Sequence, residues 1–263
     1  MSSNNKTIVG SVLIDRSGSM EFILPTLIKA LKSFIDEITL RASVAKECQF
    51  RLTTFSNTKE VYFPSNELMF DNIATFGEDL EFEANGCTRL VDSAIEEANI
   101  LSKRLDELKE AGAEVNSWFI VLTDGDDNRS KANSSDLKEK ILSLKEKGVS
   151  CVLIAANINA EEYGKFFGFD STKSVQVDMD ARENDDTNLP PPLFQCFRAL
   201  SQNIADNMED DRRDIGFSHL QRAASAPSRF TIDPQTQVPV AKSNDDEWDD
   251  DLWNLPPPML RRN

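Results

Sequence analysis

The chain has 263 residues, 40% of them apolar, enough to enclose one α/β core of about 200 residues with an extension left over. Its 45 acidic and 29 basic residues leave a formal net charge of −16, which opposes binding to nucleic acid or anionic membranes and favours cations and basic partners. No apolar run approaches the roughly 20 residues that cross a bilayer, and the first 15 residues lack a basic stretch ahead of an apolar one, so a soluble chain without a secretory signal is expected.

Residues 6–14, with Ile8, Val9, Val12, Leu13 and Ile14, form a short apolar run that breaks off at Asp15-Arg16-Ser17-Gly18-Ser19-Met20, as a buried strand feeding a polar turn does. Next, Phe22, Ile23, Leu27, Ala30, Leu31, Phe34, Ile35 and Ile38 recur at helical spacing, with Pro25 tolerable because it lies in the first turn. Residues 49–56 and 61–63 read as two strands joined by Asn57-Thr58-Lys59-Glu60, a hairpin at one sheet edge. From Arg89 to about Glu110 the apolar positions Leu90, Ala94, Ile95, Ala98, Leu101, Leu105 and Leu108 mark a second helix, stopped by Gly112.

Trp118-Phe119-Ile120-Val121-Leu122 is apolar on both faces and ends in Thr123-Asp124-Gly125. A helix over 135–147, a strand over 149–156, a short helix over 160–167, a strand near 174–178 and a helix over 192–208 complete the pattern. Alternating strands and helices imply a doubly wound, mostly parallel sheet with one antiparallel edge strand and helices on both faces. That domain is assigned to residues 1–208. Residues 209–263, rich in Asp, Ser, Pro, Arg and Gln and without periodicity, are expected to be a disordered acidic tail. Near its end, Trp248 and Trp253 stand among acids, the composition of a short segment that docks into a partner.

Two buried strands thus end at one sheet edge, in Asp15-x-Ser17-x-Ser19 and in Thr123-Asp124. Both deliver hard oxygen ligands where such sheets bind theirs. Carboxylates and hydroxyls without His or Cys suit Mg²⁺ or Mn²⁺ better than Zn²⁺. The competing reading of Asp15 and Ser19 is that they cap a helix. Asp126 and Asp127 read as solvated loop acids that deepen the negative field.

The arrangement resembles the metal-ion-dependent adhesion site of the von Willebrand factor type A family, whose pattern is Asp-x-Ser-x-Ser, a separate Thr and a later Asp in a Thr-Asp-Gly-like turn. The resemblance covers about residues 6–205. It matches Asp15, Ser17 and Ser19 to the first part, Thr88 in Asn85-Gly86-Cys87-Thr88-Arg89-Leu90 to the second and Asp124 to the last. It implies a divalent metal held by Asp15, Ser17, Ser19, Thr88 and Asp124, and a protein partner that supplies a Glu or Asp carboxylate at the open position.

Cys87 reads as a small residue in a tight turn. His219, the sole histidine, lies in the expected tail, and no Ser/His/Asp or Cys/His set can be assembled. Arg222-Ala223-Ala224-Ser225-Ala226-Pro227 is a candidate kinase site that resembles a phosphoserine segment read by 14-3-3 proteins.

Widely spaced Cys48, Cys87, Cys151 and Cys196 read as reduced thiols of a cytoplasmic protein. The sequence therefore points to a non-catalytic interaction module, a scaffold or regulator in a multiprotein assembly, with a second partner for the tail. The competing readings are a regulator acting through its phosphorylatable tail and a metal-dependent phosphoryl-transfer enzyme. The latter lacks a Gly-rich phosphate loop and a placed base.

Overall fold

The computed structural model describes residues 6–42, 47–64, 69–76, 80–125, 127–179, 190–209, 215–232 and 239–242. The main sheet is built from β1 (Lys6–Asp15), β2 (Glu47–Phe55), β3 (Lys59–Phe63), β4 (Asp71–Asn72), β5 (Glu114–Thr123), β6 (Val149–Ala156) and β7 (Ser174–Val177). Its order is β3-β2-β1-β5-β6-β7, with β4 also paired to β2. β1 lies parallel to β2 and β5, β5 to β6, and β6 to β7. β3 and β4 run antiparallel to β2, so the expected hairpin is present and the antiparallel edge holds two short strands rather than one.

The central strands read as continuous apolar runs because both faces are covered. In β1, Ile8, Val12 and Ile14 join one core, with α1 (Leu24–Ala42) and α5 (Pro192–Glu209). Val9 and Leu13 join the other, with α2 (Leu90–Glu110), α3 (Ser134–Glu146) and α4 (Ala160–Phe167). Trp118 of β5 enters the first core, edge-on to Phe34 at 6.2 Å between ring centroids. Its indole passes directly over Gly10, where a Cβ would come within 2.0 Å of the ring. Gly112 and Gly148, after α2 and α3, adopt positive φ, the left-handed conformation that ends a helix at low cost in glycine.

Two expectations are corrected. The first concerns the start of the first helix. Gly18–Phe22 is a 3-10 turn and α1 begins only at Leu24. Tighter winding rotates side chains away from the α-helical stripe, so Met20 is buried while Phe22, expected on the apolar face, is 92% exposed.

The second concerns the tail, which does not begin at 209. Ile215 and Phe217 are buried in the first core. After them come α6 (His219–Ser225), a 3-10 turn and the small hairpin of β8 (Phe230–Ile232) and β9 (Pro239–Ala241). Ser218 and Gln221 close a capping box on α6. Arg222 donates to the carbonyls of Ser171 and Ser174, and Asp178 donates its backbone N–H to Ser225. The folded unit therefore extends to Lys242. Among the described residues no helix is long and apolar enough to cross a membrane.

Candidate functional site

Because β1 and β5 are parallel neighbours, Asp15 and Thr123, their last residues, reach the same edge. Asp15 is fully buried. Its Oδ2 accepts from Thr123 Oγ1 at 2.7 Å and its Oδ1 from the Ser17 backbone N–H at 2.8 Å. The carboxylate thus ties the two strand ends together and folds the following loop back over itself. Burial pushes its carboxyl up to about 6, against the lowering effect of those hydrogen bonds. Burial also raises the carboxyl of Asp124, against the hydrogen bond from Ser19. A positive charge brought close to these two carboxyls would favour their ionised form.

Ser17 Oγ lies 3.1 Å from Ser19 Oγ, and Ser19 Oγ donates to Asp124 Oδ1 at 3.0 Å. Asp15, Ser17, Ser19 and Asp124 are therefore joined by direct hydrogen bonds across residues more than a hundred positions apart. The capping alternative does not hold for this turn. Ser17 occupies its N-cap position without a side-chain cap bond, and the Ser19 hydroxyl is turned to Ser17 and Asp124.

Thr88 reaches the edge through its loop. Gly18 donates to the Gly86 carbonyl and Asn85 to the Arg16 carbonyl, laying residues 85–88 against residues 15–19. Thr88 is buried, and it exchanges hydrogen bonds with Asn128, its N–H donating to Oδ1 and its carbonyl accepting from the Asn128 N–H. Arg16 points its guanidinium to Glu60 and to the Glu83 carbonyl.

Sequence reasoning missed what holds this loop. Asp127 accepts from the backbone of Val91, Arg129 and Ser130. Asp92 accepts from Lys131 and Ala132. Asp127 is thus a fastener between the loop after β5 and the start of α2, not a solvated acid. The available signal was an Asp and an Asn after a Gly, residues that bond to nearby backbone N–H groups. Asp126 lies outside the described residues.

Trp248 and Trp253 also lie outside them. Ser225 is fully buried, and its hydroxyl donates to the Gln221 carbonyl, so α6 as folded withholds it from a kinase, contrary to the phosphosite reading. His219 sits with Nε2 2.6 Å from the Pro239 carbonyl and its ring edge-on to Phe230. Cys87 is exposed beside Thr88.

The donors offered are carboxylate and hydroxyl oxygens, a set that fits a hard divalent cation. Among the described residues no three His, Cys, Asp or Glu side chains gather, at this edge or elsewhere, so the set here rests on two carboxylates and on hydroxyls.

Several solved structures align with this chain. The pilus adhesin SpaC from Lactobacillus rhamnosus GG aligns over 78% of this chain and 31% of its own at 11% identity and TM-score 0.55. A von Willebrand factor type A protein from Catenulispora acidiphila aligns over 75% and 42% at 17% identity and TM-score 0.47. Proximal thread matrix protein 1 from the mussel byssus, with a zinc-occupied MIDAS motif, aligns over 67% and 42% at 16% identity and TM-score 0.43. The chain spans less than half the length of each of these three. No curated protein sequence matches it significantly. The family model of the von Willebrand factor type A domain, a protein-interaction fold that often carries a divalent metal, matches residues 11–179, and the chain belongs to that family.

Proposed function

We propose that the domain binds a protein partner through a divalent metal held by Asp15, Ser17, Ser19, Thr88 and Asp124, with Mg²⁺ or Mn²⁺ as the ion. The observation that carries this reading is the hydrogen-bonded chain from Asp15 through Ser17 and Ser19 to Asp124 at the carboxyl edge of the sheet. When bound, the metal supplies an electrophilic position that a Glu or Asp carboxylate of the partner completes. Three of the five groups, Ser17, Ser19 and Thr88, are neutral hydroxyls, so the ion stays electrophilic enough to favour an anionic ligand.

The role is non-catalytic, as a scaffold or regulator within an assembly. The sole histidine belongs to α6, where it contacts Pro239 and Phe230. A cytoplasmic setting belongs to the same proposal and is supported by four unpaired cysteines.

The test is affinity capture with the intact chain and an Asp15→Ala/Ser17→Ala variant, each in Mg²⁺ and in EDTA, alongside calorimetric titration of the metal. Metal should bind the intact chain only, and partners should vanish from the variant and from both chelated samples. An identical partner set in all four samples would sink the proposal.

A further inference from the structure

We propose that the acidic segment of this same chain, residues 245–251, docks in cis at the metal-binding edge and competes there with the outside partner. This rests on the metal reading above.

The first support is where the described chain leads. Lys242 donates to the Arg229 carbonyl, Arg229 to Gln176 Oε1, and the Ser228 N–H to Asp178 Oδ2. Asp178 directly follows β7, so this hairpin hands the chain on beside the carboxyl end of β7. That is the edge that carries Asp15 and Asp124, since β1, β5, β6 and β7 are parallel. With strands about 4.8 Å apart, β7 lies about 10 Å from β5 and about 14 Å from β1. Asp249 is seven residues beyond Lys242, a reach of up to about 24 Å in extended chain.

The second support is charge. Six acids fall within residues 245–251. The loop between Asp124 and α3 carries Arg129 and Lys131, both exposed. An outside acidic ligand must approach a molecule of net charge −16, whereas docking in cis adds no charge to it. A tether of this length holds the carboxylates at an effective concentration of about millimolar, so even a weak metal contact is populated.

The third is an apolar contact. Phe22, 92% exposed, stands three residues after Ser19 on the turn that carries the serines. In the proposed docking this exposed ring is the apolar surface offered to an indole of the acid-flanked segment.

The intact chain reports on this itself. Trp118 is buried and gives a constant background, so changes in tryptophan emission come from Trp248 and Trp253. Mg²⁺ should shift the emission to the blue. The shift should disappear in Ser17→Ala/Ser19→Ala and in a tail-neutralised chain carrying Asp245→Asn, Asp246→Asn, Glu247→Gln, Asp249→Asn, Asp250→Asn and Asp251→Asn. It should shrink in Phe22→Ala. A synthetic peptide of residues 243–263 should bind the tail-neutralised chain in Mg²⁺ about tenfold more tightly than the intact one.

Equal peptide affinity, with calorimetry showing Mg²⁺ on both chains, overturns the docking and leaves the metal reading standing. Mg²⁺ binding to neither chain removes the metal reading and the docking with it. A shift that persists in Ser17→Ala/Ser19→Ala means the tail binds the ion on its own, and overturns the proposal. So does a shift that grows with protein concentration alongside a doubled mass, which places the segment on a second copy.

Discussion

Glu97 shows what a single buried charge does in this fold. It lies on α2 on the same face as Ala94, Ala98 and Leu101, wholly inaccessible, and accepts from Ser11 on one oxygen and from Thr53 on the other. Arg51 of β2, equally buried, donates Nε to it at 2.6 Å, and Lys59 approaches at 3.5 Å. Removing one partner of such a pair leaves the other charge stranded in the interior. Glu97→Gln should therefore destabilise the protein by about 3–5 kcal/mol, seen as a lower midpoint of urea unfolding at unchanged slope; a loss of a few tenths would refute the pairing. Periodicity outlined α2 around this residue without revealing it, because no local pattern links positions 46 apart. The two short motifs of the proposed metal site were legible for the opposite reason, since each interrupts an apolar run at its last residue.

The same contrast governs the thiols. Cys48, Cys151 and Cys196 are buried, and burial pushes each thiol up to about 12, leaving a thiolate fraction on the order of 10⁻⁴ at pH 8. Cys87 is exposed. A chromogenic disulfide reagent should titrate one thiol in the native protein and four in denaturant, and a native count above one would contradict the packing around the other three.

Among the elements, α6 departs most from what the sequence offers. Strands β1, β5 and β6 and helices α2 to α5 announce themselves because each carries a full stripe or a run of apolar residues. The segment after α5 contributes only scattered anchors, Ile215, Phe217, Ala223 and Ala226, whose spacing has no period. Polar side chains complete the attachment through Arg222 to the β7 region, Asn203 to Gln221 and Asp178 to Ser228. Composition read such a stretch as tail, since its fastening lies in pairings that composition does not encode. A truncation after residue 209 should lower the melting temperature by several degrees and expose apolar surface, because Ile215 and Phe217 leave the core. A truncation after Lys242 should melt with the intact chain, within a degree or so. Equal melting of both truncated forms would show that the α6 clasp contributes nothing. The second cut is the one that isolates the acidic segment without disturbing the fold.

At the scale of the whole molecule the charge and the site work against each other until a cation enters. Within a chain of net charge −16, the edge proposed to hold the metal contains two carboxyls whose ionisation burial opposes. Divalent cation should therefore stabilise the fold as well as create the docking position. At a hundredfold excess over its dissociation constant, an ion bound only by the native state contributes about 2.7 kcal/mol, about 5–10 °C in melting temperature for a domain of this size. Excess EDTA should abolish that gain in the intact chain and change nothing in Ser17→Ala/Ser19→Ala. Part of the affinity is the diffuse negative field, which salt screens over about 10 Å at 0.1 M, so raising salt from 0.02 to 0.5 M should weaken Mg²⁺ binding severalfold while the serine variant stays without a specific site throughout. Binding by hydroxyl and carboxylate contact alone would be nearly insensitive to salt, and binding by the field alone would survive loss of both serines. The two arms together separate a built metal centre from an acidic surface that merely collects cations.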